Sequence, residues 1–256
     1  MDFFKHFLDE SMFYSIAYWQ KGAQSLEQAQ RDKMELVAQK LKLKPGMRVL
    51  DVGCGYGGLS KYLAENYGVK VVGITNSTAM GEEAEKNCKG LPVEIKMVDW
   101  RDLEGTFDRV VCIEMVFHVG KQNLAGFFKQ VGKWLKDENG ILVMQDFSAA
   151  HEYFCSEEFY SKYIFPYSYT AHLDELIRTS APYLALKHYE DMTEDMAPTF
   201  QEWYNRFQKA WPLMSKKYDK KLFKITEAYF LSLVIVGRAR KILTHQMVFN
   251  KIPEMK

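Results

Sequence analysis

The stretch that most constrains this chain is Val49-Leu50-Asp51-Val52-Gly53-Cys54-Gly55-Tyr56-Gly57-Gly58-Leu59-Ser60. Apolar positions lead into four glycines within six residues, and an amphipathic run continues from Leu59 to Tyr67. The pattern predicts a buried strand, a tight turn and the opening of a helix. Glycine suits such a turn because its dihedrals are unusual and because a Cβ would hold the backbone away from a bound ligand. The free N–H groups at the helix start then face whatever sits in the turn.

The residues beyond the turn separate the nucleotide folds that share it. A dinucleotide site would carry G-x-G-x-x-G and an acidic residue at the end of the second strand. Here the spacing is G-x-G-x-G-G behind Asp51, and the second strand, 69–74, runs into Thr75-Asn76-Ser77 without a carboxylate. The Gly-Lys-Ser/Thr of a P-loop is absent as well. D-x-G-x-G-x-G-G after a buried strand resembles the first motif of S-adenosylmethionine (SAM) methyltransferases.

Composition fits a soluble enzyme. At 256 residues the chain is long enough for one large α/β domain with an insertion. A charged fraction of 26% and a net charge of +1 give no support for nucleic-acid binding. The aromatic fraction of 14% and 13 methionines suit an apolar substrate chamber, and suit a plain core nearly as well. Cys54, Cys88, Cys112 and Cys155 have neither CxxC pairing nor metal spacing, and His6, His151, His172, His188 and His245 have no metal spacing either. No apolar run approaches the roughly 20 residues of a membrane span, and Met1 to Leu8 lacks the apolar core of an export signal. These features predict a cytoplasmic protein without a metal. The lysines at 216, 217, 220, 221 and 224 read as a solvated face, with peripheral membrane contact as the other reading.

Taken in order, residues 1–40 read as a helical cap, with Phe3, Phe4, Phe7 and Leu8 on one face. Strands are expected near 47–52, 69–74, 92–97, 109–113 and 140–146, separated by helical patterns, which argues for a mainly parallel sheet with helices on both faces. Ligands on such sheets sit at the carboxyl ends of the strands. The SAM-binding core would span 41–147. Residues 148–182 and 195–230 break the alternation and are rich in Phe, Tyr and Trp, so 148–230 reads as a lid over an acceptor. Closing strands are expected at 183–190 and 246–249, the latter in a closing C-terminal segment, 231–256. The whole chain, 1–256, is expected to be a single domain.

The wording of several segments resembles the cyclopropane-fatty-acid synthase family and its relatives, plant N-methyltransferases such as coclaurine N-methyltransferase. Tyr14-Ser15-Ile16-Ala17-Tyr18-Trp19 parallels Y-S-C-A-Y-W; Leu26-Glu27-x-Ala29-Gln30-x-x-Lys33 and Leu43-Lys44-Pro45-Gly46-Met47 come next. Asp99-Trp100-Arg101-Asp102 parallels D-Y-R-D, and Glu114-Met115-Val116-Phe117-His118-Val119-Gly120 stands where the family has x-M-F-E-H-V-G. Tyr163-Ile164-Phe165-Pro166, Trp203-Tyr204-x-x-Phe207, Trp211-Pro212 and Arg238-Ala239-Arg240 continue the likeness almost to the C-terminus. The resemblance implies a Rossmann-like SAM-dependent methyltransferase fold with a mostly parallel seven-stranded sheet, N-terminal helices and a helical lid.

It also implies roles. Gly53, Gly55 and Gly57, behind Asp51, would admit the methionine portion of SAM, with Tyr14 and Ser15 closing over it. Thr75 and Ser77 would meet the ribose, although the family's Gln three residues further on is Met80. Asp99 would accept from the adenine amine while Trp100 stacks on the ring. Family members that cyclopropanate use bound bicarbonate as base, in a pocket built from a Cys, a Glu, a strand His and a Tyr. Here those positions hold Ile16, Phe117, Gln145 and Tyr204, and the family's C-terminal Cys falls at Leu233. An anion facing Ile and Phe would lose its charge-assisted hydrogen bonds. The expected activity is therefore methyl transfer to nitrogen or carbon of a hydrophobic small molecule, with Glu114, His118 and Tyr204 as catalytic residues. Cyclopropane formation on lipid acyl chains is the alternative, and a non-catalytic SAM-binding protein is the third reading. The acceptor's identity and any homodimer stay open.

Overall fold

The computed structural model describes residues 3–150 and 158–253; His151 and Cys155 lie outside them. Seven strands, β1 (Arg48–Val52), β2 (Lys70–Thr75), β3 (Val93–Met97), β4 (Arg109–Ile113), β5 (Ile141–Ala149), β6 (Leu184–Asp191) and β7 (Ile242–Lys251), form one sheet in the order β3-β2-β1-β4-β5-β7-β6. The first five are parallel; β7 runs antiparallel to both β5 and β6. Every residue of β4 is buried, as are the last four of β1 and the last five of β2. This is the run of apolar residues expected of parallel strands covered on both faces. The chain order reverses between β1 and β4, and ligands of such sheets bind in the crevice outside that switch point.

Helices α1 (Leu26–Leu41), α2 (Gly58–Tyr67), α3 (Thr78–Asn87) and α4 (Leu124–Trp134) flank the parallel half. One core layer gathers Phe127, Phe128 and Trp134 of α4 against Leu50, Val110 and Leu142. The opposite layer gathers Val37 and Leu41 of α1 with Leu59 and Leu63 of α2. Beyond the sheet, α5 (Glu158–Tyr163), α6 (Leu173–Ser180), α7 (Thr193–Met214) and α8 (Lys220–Arg238) make up the region read as a lid. A third, aromatic cluster joins α7 and α8 to the N-terminal segment through Phe7, Phe200, Trp203, Phe207 and Phe230. Helix α8 runs eight residues past the expected lid boundary at 230, and β7 is longer than the expected 246–249. Among the described residues, no helix is long and apolar enough to cross a membrane.

The N-terminal cap differs from expectation. Before α1 the only helical turn among the described residues is a 3-10 turn at Phe4–His6, and the chain from Phe7 to Ser25 is irregular. Its backbone groups are satisfied by side chains instead of by a helix. Asp9 accepts from the N–H groups of Ser11 (2.9 Å) and Phe13 (3.1 Å). Asp195 Oδ1 accepts from Trp19 N (2.7 Å) and Gln20 N (3.2 Å), and its Oδ2 accepts from Gln20 Nε2 (2.9 Å). Thr199 Oγ1 accepts from Ala17 N (3.2 Å) and Trp19 Nε1 (2.9 Å). A four-residue step along α7 thus supplies two anchors for one irregular strap.

Replacing Asp195 with Ala removes the acceptor of the Trp19 and Gln20 backbone N–H groups, while Gln20 Nε2 keeps Asp191 O (3.2 Å). The expected cost is about 1–3 kcal/mol of stability, read as a lower urea midpoint together with faster proteolysis before residue 25.

Candidate functional site

Two cavities meet at the carboxyl edge of the sheet. The wider cleft, with about 1720 Å³ of empty space, is lined by the glycine loop, the ends of β2 and β4, the segment after β3, and residues 12–15. The second, an apolar chamber, lies under the lid helices between Phe117, Phe147, Phe165, Phe200 and Trp203. Tyr14, Glu114 and His118 line both. The strap from Phe165 to Thr170 also serves both: Pro166 and Tyr167 face the cleft, while Phe165, Ser168 and Thr170 face the chamber.

Most residues expected to hold the cofactor line the cleft: Tyr14, Ser15, Gly53, Gly55, Thr75, Ser77, Asp99 and Trp100. Gly53 has φ +80°, and a Cβ there would lie 2.6 Å from Met115 Cγ, so only glycine fits. The side chains of Ser77 and Asp99 also have local work. Ser77 caps α3, its Oγ accepting from Met80 N (3.4 Å). Asp99 Oδ1 accepts from Arg101 N (2.9 Å) and Arg101 Nη1 (3.1 Å). These bonds aim both side chains from fixed positions on the strand ends.

Two expected contacts are not brought to the cleft. Asp51 is buried below the loop, where its Oδ2 accepts from Ser60 Oγ (2.7 Å); burial pushes its carboxyl up to about 6. It ties β1 to α2. Gly57 instead serves helix packing, since a Cβ on it would lie 3.0 Å from Cys88 Sγ and 3.1 Å from Ala84 Cβ of α3.

Tyr204 is also displaced from its expected place. Its hydroxyl donates to Glu227 Oε1 (3.0 Å) and accepts from Gln208 Nε2 (2.5 Å), and it lines neither cavity. Its neighbour Trp203 faces the chamber, and one residue along a helix turns a side chain by about 100°. The tyrosines on the chamber wall are Tyr14, Tyr160 and Tyr229, with Tyr14 donating to Tyr229 across 3.0 Å.

Glu114 is held tightly. Its Oε1 accepts from Ile16 N (2.8 Å) and from Gln145 Nε2 (2.7 Å). Gln145 Nε2 also donates to Ile16 O (3.0 Å), and its Oε1 accepts from Gln246 Nε2 (2.9 Å). Ile16 and Gln145, expected to face the acceptor, therefore stand behind Glu114 and line neither cavity. Glu114 has φ +50°, a left-handed backbone that a β-carbon disfavours and that often marks a functional position. Burial raises its pKa above the ordinary carboxylate range, while Lys33 and the two hydrogen bonds pull it down.

His118 makes no bond to Glu114. Its ring lies against Phe117 with centroids 3.9 Å apart, and burial lowers its pKa to about 4. The direction of that shift keeps the ring neutral at pH 7. The turn carrying His118 hangs on Asp146, which no sequence signal marked. Asp146 Oδ2 accepts from Val116 N (2.7 Å) and Phe117 N (3.3 Å), and Oδ1 accepts from Phe147 N (2.8 Å). The chamber carries Phe117 and Leu233 where an anion would need donors, and among the described residues no Lys or Arg lines it.

This donor set fits SAM. A glycine-walled floor, hydroxyls on Thr75 and Ser77, and Asp99 beside the Trp100 ring line the cleft and would meet its amino-acid, ribose and adenine portions. Known proteins point the same way. The sequence is 38% identical to the cyclopropane-fatty-acyl-phospholipid synthase of Escherichia coli K12 over 250 residues, 98% of this chain and 65% of that protein. It is 31% identical to sphingolipid C9-methyltransferase B of Emericella nidulans over 269 residues, 98% of this chain and 52% of the relative. The chain thus spans between half and two thirds of these relatives. The fold matches a mycolic acid cyclopropane synthase CmaA1 crystallised with SAH and CTAB, at a TM-score of 0.92 and 24% identity over 98% of this chain and 94% of the other. Residues 1–247 match the mycolic acid cyclopropane synthetase family. The chain belongs to that family of SAM-dependent transferases.

Proposed function

We propose that this protein transfers the SAM methyl group to a carbon of an unsaturated lipid acyl chain, with Glu114 as the proton acceptor in place of bound bicarbonate. The observation that carries the reading is the junction. A desolvated carboxyl, held by Ile16 and Gln145, stands where the cofactor cleft opens into a chamber walled by aromatic rings. Relatives named for lipid substrates, a fatty-acyl phospholipid in one case and a sphingolipid in the other, support an acyl chain as the occupant.

The cofactor supplies an activated methyl group, so the protein's work is alignment, exclusion of water and removal of a proton. Tyr14 and Ser15 would close over the methionine end, and the Phe165–Thr170 strap would cover both cavities. The acceptor's π electrons bond to the methyl carbon, the methyl–sulfur bond breaks, and a cationic carbon is left in the chamber. The rings of Tyr14, Phe117, Trp203 and Tyr229 can stabilise that charge through their faces. Glu114 then takes a proton. If the proton comes from the transferred methyl, its C–H electrons close a cyclopropane; if it comes from a neighbouring chain carbon, a methyl-branched alkene results.

A second reading has its own support. A carboxylate among aromatic rings is also a site for an ammonium, so a hydrophobic amine is the other acceptor class. Fully deuterated methyl on SAM separates the products by mass. A lipid product that loses one label is a cyclopropane, and one that keeps all its labels is a methylated alkene. A fully labelled methyl on an amine, with lipids unchanged, would overturn the lipid reading.

Glu114→Gln keeps the hydrogen-bonding shape but cannot take a proton. Its kcat is expected to fall by about 10²–10⁴-fold, with SAH affinity by calorimetry nearly unchanged. Because the carboxyl must be ionised and its pKa is raised, wild-type activity should fall as pH drops. The midpoint should lie above the ordinary glutamate value of about 4.3, and the fall should be absent from the residual rate of Glu114→Gln.

A further inference from the structure

The sequence motif Ala29-Gln30-x-x-Lys33 on α1 has no role in the reaction described so far. Gln30 and Lys33 lie one turn apart on the same face of that helix, and both are fully buried. Gln30 Nε2 donates to Phe13 O (3.1 Å) and Ser15 O (2.9 Å). Lys33 Nζ donates to Ser15 Oγ and sits 3.6 Å from the centroid of the Phe13 ring. Phe13 and Ser15 both line the cofactor cleft. The pair therefore clamps the stretch of chain that forms one wall of that cleft. A buried ammonium is an unfavourable way to pack a helix, since burial disfavours its charge. Its electrostatic partners are Glu114 and Asp9.

We propose that Lys33 is a positioning residue that fixes Ser15 at the wall of the cofactor cleft and, through the adjoining Ile16 N–H, holds Glu114 at the junction. The proposal rests on the reading of Glu114 as the base. The groups around Glu114 come from five elements: Lys33 from α1, Tyr14 from the N-terminal segment, His118 from the turn after β4, Asp146 from β5 and Tyr229 from α8. Asp146, Tyr14 and Tyr229 bring no positive charge, and His118 is neutral at pH 7. Of these groups only Lys33 carries a positive charge, and it is joined to Glu114 through Ser15 and the Ile16 N–H. It favours the carboxylate and opposes the effect of burial.

Lys33→Met removes the charge and the donor to Ser15. The acidic limb of the kcat/KM profile should then move to higher pH, by about 1–3 pH units. SAH binding by calorimetry should weaken on the order of tenfold, and Lys33→Arg should restore the pH limb at least in part. A merely structural lysine would leave that limb in place. Thermal unfolding of Lys33→Met, Glu114→Gln and the double variant supplies a readout independent of turnover. Interacting charges give a double variant more stable than the sum of the single losses predicts. Additive losses together with an unmoved pH limb would overturn the proposal. If Glu114→Gln proves fully active, the base reading fails by itself; non-additive unfolding and weakened SAH binding would still uphold the action of Lys33 on Glu114 and Ser15.

Discussion

The side-chain amide of Gln145 is the interaction on which the two cavities depend. Its nitrogen serves Ile16 O and Glu114 Oε1, and its oxygen is occupied by Gln246 from the neighbouring antiparallel strand. Lys40 of α1 closes the other end of this chain, donating to Gln246 Oε1 across 2.6 Å and also to Glu190 of β6. That amide ties Ile16 to Glu114 at the sheet edge, within the segment that supplies the wall shared by cleft and chamber. A fully satisfied buried polar network is costly to disturb at any member, which lets it define one geometry for a stretch of chain that has no helix or strand of its own.

The site also combines two carboxyls with different tasks. Asp146 is buried and Glu114 half-buried, and desolvation raises both, Asp146 to about 8. Asp146 commits its oxygens to three backbone N–H groups and so builds the turn that carries Phe117 and His118. Glu114 accepts both of its hydrogen bonds on one oxygen, and does so from a left-handed backbone. The scaffold and the proposed base are thus adjacent but separate.

Much of this was legible in the sequence. The glycine loop, the strand alternation and the spaced motifs predicted every strand to within a few residues, and the central strands most clearly, because burial on both faces forces apolar runs there. The cleft-lining set from Ser15 to Trp100 was legible too, because most of its members sit at strand ends. What escaped were features set by side-chain direction and long-range pairing. Tyr204 and Trp203 are neighbours in sequence, but helix geometry sends one to Glu227 and the other to the chamber. Phe3 to Leu8 has helical spacing, yet the segment beyond it is held by acceptors more than 170 residues away, Asp195 and Thr199, which no local pattern can reveal. Ile16 and Gln145 read as substitutions that empty a pocket, whereas in three dimensions they support the carboxylate that stands beside it.

The strap from Phe165 to Thr170 has a consequence for how such a protein can diverge. Pro166 and Tyr167 touch one cavity, and Phe165, Ser168 and Thr170 touch the other, so the two binding sites share a single short piece of backbone. It is anchored by Tyr169 N to Phe117 O (2.8 Å), on the turn that also carries His118. A substitution that widens the chamber for a bulkier acceptor must shift the same peptide units that enclose the cofactor. Acceptor range and cofactor retention are therefore inherited together, and a new specificity has to be found among changes that leave this strip of main chain where it is.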